Sequence, residues 1–76
     1  MEKWIVTAVD YGDNCDGKAR VVAICSSEEG AMEYIRNDIE EWADRYAGEN
    51  IEVDFDRMSA RFTDSDMGCE WNFHLV

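Results

Sequence analysis

Ile51-Glu52-Val53-Asp54-Phe55-Asp56-Arg57-Met58-Ser59-Ala60-Arg61-Phe62 is the stretch on which the strand count of this chain turns. Ile51, Val53 and Phe55 alternate with Glu52, Asp54 and Asp56, a period of two that makes a strand with one dry and one acidic face. Beyond Phe55 the apolar parity shifts to Met58, Ala60 and Phe62. Either a β-bulge near Asp56-Arg57 or a short turn produces such a shift, and the lack of Gly and Asn favours the bulge. The whole stretch then reads as one kinked third strand.

Trp4, Ile5, Val6, Thr7, Ala8 and Val9 form a β-branched and aromatic run within Glu2 to Tyr11. It is apolar at both parities, which marks an inner strand rather than a half-solvated edge. Gly12-Asp13-Asn14-Cys15-Asp16-Gly17 is turn chemistry, and strand two follows over Lys18 to Cys25. Ser26-Ser27-Glu28-Glu29 has the form of a capping box, with Ser26 as cap and Glu29 reaching back. Ala31, Ile35, Ile39, Trp42 and Tyr46 recur at spacings of three and four, so a helix is expected over Ser27 to Ala47, closed by a left-handed Gly48. Thr63 to Gly68 reads as a hairpin loop, and Cys69 to Val76 as the last strand, with Trp71, Phe73 and Leu75 on one side.

The order ββαββ gives an α+β fold: a four-stranded, mainly antiparallel sheet with one helix packed on one face, all 76 residues in a single domain. The other face would carry one parity of strand one together with Glu52, Asp54, Asp56 and Glu70. Such a mixture of acidic and apolar groups suits a partner better than water.

Composition limits what the chain can do. Eighteen Asp and Glu against seven Lys and Arg leave a formal charge of −11, yet 46% of the residues are hydrophobic, so a folded body presents the carboxylates. That charge repels nucleic acid and anionic membrane and attracts basic surfaces. No stretch approaches the roughly 20 apolar residues of a membrane span, and the Met1-Glu2-Lys3-Trp4 start lacks signal-peptide character, so a cytoplasmic location is expected. Cys15, Cys25 and Cys69 are odd in number and never spaced C-x-x-C, which indicates reduced thiols rather than a disulfide framework or zinc site.

No catalytic motif is found. Strand parity puts Cys69 and His74, the one histidine, on opposite faces, so no Cys/His pair forms. Asp10 to Asp16 and Asp64 to Gly68 invite calcium, but neither has the Gly at six and Glu at twelve of an EF-hand loop. Trp4, Trp42 and Trp71 are expected as packing residues rather than stacking platforms. No enzyme, cofactor or metal is expected.

The carboxylates fall into two rows. Glu33, Glu40, Glu41 and Asp44 share the helix exterior with Asp38 on the flank, while Arg36 can pair with Glu33 or Glu40 and Arg45 with Glu41. Glu52, Asp54, Asp56 and Glu70 form the strand row. Spacings of about 6 Å along a helix face and roughly 6.6 Å along a strand are comparable with the charge repeat of a nucleic-acid backbone. On these rows the chain resembles the small phage-encoded inhibitors of host nucleic-acid machinery, the anti-CRISPR and DNA-mimic proteins. The resemblance implies a non-enzymatic protein that occupies a basic DNA- or RNA-binding surface, a Cas protein first among candidates, in the host cytoplasm. Both rows are candidate partner-binding residues, with the strand row expected to make contact and the helix row to steer. The alternative is a homodimeric structural or adaptor module.

Overall fold

The computed structural model describes residues 2–12 and 15–76. Among them, one helix and five strands run in the order β1 (Trp4–Tyr11), β2 (Ala19–Cys25), α1 (Glu28–Arg45), β3 (Ile51–Asp54), β4 (Ser59–Phe62) and β5 (Gly68–Leu75). The strands make one sheet in the order β2-β1-β5-β4-β3, antiparallel at every pairing. The class is α+β as expected, with five strands in place of four.

The extra strand comes from the stretch Ile51 to Phe62, which folds back on itself instead of bulging. Phe55 to Met58 form a turn in which Asp54 Oδ1 accepts the Arg57 N–H at 3.0 Å and the Phe55 carbonyl accepts the Met58 N–H at 3.3 Å. Met58 takes φ +55, the left-handed conformation usually left to Gly or Asn. That backbone costs about 1–2 kcal/mol, offset by packing of the Met58 side chain against the core. The turn then pairs Ile51 with Phe62 and Val53 with Ala60.

β1 is an inner strand, as its apolar parities require, with β2 on one side and β5 on the other. Its pairing with β5 is unbroken from Trp4 opposite Leu75 to Tyr11 opposite Gly68, and the Val76 N–H adds a bond to the Lys3 carbonyl at 2.9 Å. Its pairing with β2 slips between Val6 and Thr7, so that Val22 is the extra residue of a bulge. The Tyr34 hydroxyl donates to the Val22 carbonyl at 3.2 Å.

The helix begins one residue later than expected. Ser27, not Ser26, is the N-cap: its Oγ accepts the Gly30 N–H at 3.0 Å. Residue 30 has no carboxylate to reach back, so the box is half complete and Glu29 is freed from it. At the other end the cap is Tyr46 at φ −113, and Gly12 and Gly17, rather than Gly48, are the glycines with positive φ. Ala31, Ile35, Ile39 and Trp42 of α1 share one buried cluster with Val6, Ala8, Ala60, Cys69 and Trp71. α1 touches all five strands. Trp42, Tyr46 and Phe62 meet with ring centroids 4.8 to 5.2 Å apart, and the Trp71 indole N–H donates to Asp38 at 2.8 Å.

Candidate partner-binding surfaces

Cross-strand register sorts the strand residues into two sets. Val6, Ala8, Cys69, Trp71 and Ala60 face the core, while the opposite parity contains no buried residue except Gly68. On this second face, Ala19, Val9, Glu70, Ser59 and Asp54 lie in one line across the sheet. A second line runs Tyr11, Gly68, Arg61, Glu52. The face is therefore divided. Its β1–β2 half is apolar, with Ile5, Val9, Val21 and Ile24, and its β3–β4–β5 half is polar. Val21 and Ile24 are 61% and 64% exposed, which leaves that apolar half uncovered.

The strand row is shorter and less negative than its alternation suggests. Asp56 belongs to the turn and is off the sheet. Glu52 pairs with Arg61 at 3.1 Å, directly across from it, and Asp54 with Arg57 at 3.8 Å. Exposed pairs of this kind add little stability, but each cancels a charge where a partner would look for it. Glu70 is exposed and two strands from Asp54, with Ser59 between them.

The helix row has the opposite character. Glu33, Glu40, Glu41 and Asp44 are all exposed, and among the described residues none of them makes an ion pair. The expected Arg36 and Arg45 pairings do not form. Arg36 instead lies over the Phe55 ring, 5.1 Å from its centroid, an attraction between cation and ring face that sequence spacing along the helix could not reveal. Asp38 is half-buried and committed to the Trp71 indole, so it supports the core rather than the row. Glu29, exposed and one turn before Glu33, joins the row once Ser27 is the cap. At 1.5 Å per residue, Glu29 to Asp44 spans about 22 Å of carboxylates with Asn37 in the gap.

Two concavities flank this ridge. A groove of about 460 Å³ lies on the β1–β2–β5 side and is lined by Tyr11, Tyr34 and Tyr46 with Trp42 and Trp71. Its charges are largely spoken for, since Asp10 binds Arg20 at 3.0 Å and Asp38 binds Trp71. A notch of about 180 Å³ on the other side is lined by Met32, Ile35, Ile39, Phe55 and Met58, with Glu33 and Arg36.

Cys69 and His74 stay apart: the thiol is buried in the core and the imidazole is exposed opposite Ile5. Burial, then the hydrogen bond to and charge of Asp10, push the Cys69 thiol up to about 12, so at neutral pH it is not the thiolate that nucleophilic chemistry needs. Asp64 accepts from Asn50 at 2.9 Å, and among the described residues no three His, Cys, Asp or Glu gather to hold a metal ion. Asp13 and Asn14 of the first Asp-rich loop lie outside the described residues. No helix among those residues is long and apolar enough to cross a membrane. Comparison of the chain with models of protein families, with characterised proteins and with solved structures finds no match.

Proposed function

We propose that this protein is a non-enzymatic acidic binder that occupies a basic, nucleic-acid-handling surface of a host protein and excludes the DNA or RNA. The specific candidate is a CRISPR effector complex in the host cytoplasm. The observation that carries this reading is the unpaired helix row, in which Glu29, Glu33, Glu40, Glu41 and Asp44 stand exposed along one element. With α1 taken to cover the core face of the sheet, this row points away from the sheet as a rigid line of charge. Contact is assigned to it rather than to the strand row, because Arg61 and Arg57 already answer Glu52 and Asp54.

A mobility-shift competition with a purified effector complex and its target DNA tests the proposal. Inhibition should weaken as salt rises from about 0.05 to 0.5 M, where the screening length falls below about 5 Å. Reversing Glu40 and Asp44 to Lys should cost about tenfold in potency. Reversing Asp56 and Glu70, which leaves the Asp54 turn bond intact, should cost far less. Salt-insensitive inhibition, or no effect on any nucleic-acid binder, overturns it.

The uncovered Val21 and Ile24 favour a second reading, a homodimer through the apolar half of the sheet. Sedimentation across a concentration series separates the two. A dimer that survives dilution and loses no affinity on helix-row reversal supports the structural module.

A further inference from the structure

We infer that the notch beside the helix row receives a single apolar side chain, of about leucine size, from a basic segment of the protein's partner. The inference rests on the acidic-binder reading above and names the anchor within it. At about 180 Å³ the notch is smaller than the roughly 300–1,000 Å³ of small-molecule sites, so it accommodates one side chain rather than a ligand. Its walls are apolar, and two of them are unusually open for large hydrophobics: Met32 is 48% exposed and Phe55 41%. Met32 and Met58 are unbranched and polarizable, which lets the walls adjust to an incoming group.

Charge identifies the occupant's surroundings. Met32, Ile39 and Phe55 are each followed in the chain by a carboxylate, Glu33, Glu40 and Asp56, and all three carboxylates are exposed. The cation at the notch, Arg36, is engaged with the Phe55 ring. A segment entering here meets an apolar floor with Glu33 and Arg36 at its lining and the exposed helix row beside it, a setting that a leucine flanked by Arg and Lys complements. An apolar anchor within a charged rim is also the arrangement in which a few residues carry most of an interface's affinity.

The test uses the intact protein and two synthetic peptides of equal charge, Arg-Lys-Leu-Lys-Arg and Arg-Lys-Ala-Lys-Arg. Binding is followed by NMR with methyl-labelled methionine. The leucine peptide should bind about tenfold tighter and move the Met32 and Met58 methyl signals, which the alanine peptide leaves in place. Met32→Ser, a surface change, should abolish the difference between the peptides without weakening the alanine peptide. Equal, salt-sensitive affinities for both peptides overturn the notch and leave the acidic-binder reading standing. Failure of both peptides to bind overturns both.

Discussion

Two residues show how tightly single positions are constrained. Gly68 sits directly opposite Tyr11, and a Cβ there would lie 2.5 Å from the Tyr11 hydroxyl and 2.6 Å from the Ala60 carbonyl oxygen. The carbonyl belongs to a paired strand and cannot move aside, so Gly68→Ala should lower stability by about 1–3 kcal/mol, read by urea denaturation. Cys69 makes a pH prediction whose sign follows from its raised value. The folded thiol ionises near 12 and the unfolded one near 9.0, so the folded state holds the proton that the unfolded state gives up between them. The Cys69 contribution is fully present below about 9 and is lost as pH climbs toward about 12. Cys69→Ala should flatten that alkaline decline in Tm, and iodoacetamide at pH about 8 should label native Cys69 far more slowly than the half-buried Cys25.

At the scale of elements, the helix start gives a clean comparison. Ser27→Ala removes the acceptor of the Gly30 N–H and should cost about 1 kcal/mol, whereas Ser26→Ala should change the thermal midpoint little. Local patterns in the sequence carried most of the elements: the apolar stripe of α1, the two-sided apolarity that makes β1 an inner strand, and the alternation of β5. What they could not carry is instructive. Two adjacent serines offer the same cap chemistry, and only the folded chain shows that Ser27 accepts the Gly30 N–H. The β3–β4 turn lacks Gly and Asn, yet its signal was present in Asp54, whose carboxylate holds the Arg57 N–H; the remaining strain at Met58 is offset by packing that only the folded chain displays. Arg36 was likewise legible as a cation on α1 but not as the partner of Phe55, which comes from another element. Of the candidate site, the helix carboxylates could be identified in advance, while the loss of Glu52 and Asp54 to arginine partners required the register. The two sheet edges are guarded differently. β3 is four residues long and acidic, and β2 has its bulge with the Val22 carbonyl occupied by Tyr34. Burial first, then Asp38 and Glu41, raise the Tyr34 phenol above its ordinary value. Tyr34→Phe frees that carbonyl and should shorten the lag of thioflavin-detected aggregation.

For the molecule as a whole, a charge of −11 on a body with a radius of gyration of 12.7 Å means that carboxylates repel across its full width at low salt. The Debye length falls from about 30 Å at 0.01 M to about 3 Å at 1 M, so the thermal midpoint should rise with added sodium chloride. A midpoint that falls instead would mean that the three exposed ion pairs among the described residues outweigh the repulsion. β5, which follows every other element in sequence, occupies the middle of the sheet, between β1 and β4. During synthesis β1 has only β2 to pair with, and its other edge stays unmatched, until β5 has cleared the exit tunnel. A nascent chain cut before residue 68 holds two half-sheets with no strand between them, only α1 in reach of both. The same adjacency of Lys3 and Val76 makes the protein a natural subject for circular permutation: linking those ends and opening the exposed 63–66 loop would place β5 first, so that the sheet could grow outward from its centre as it is made.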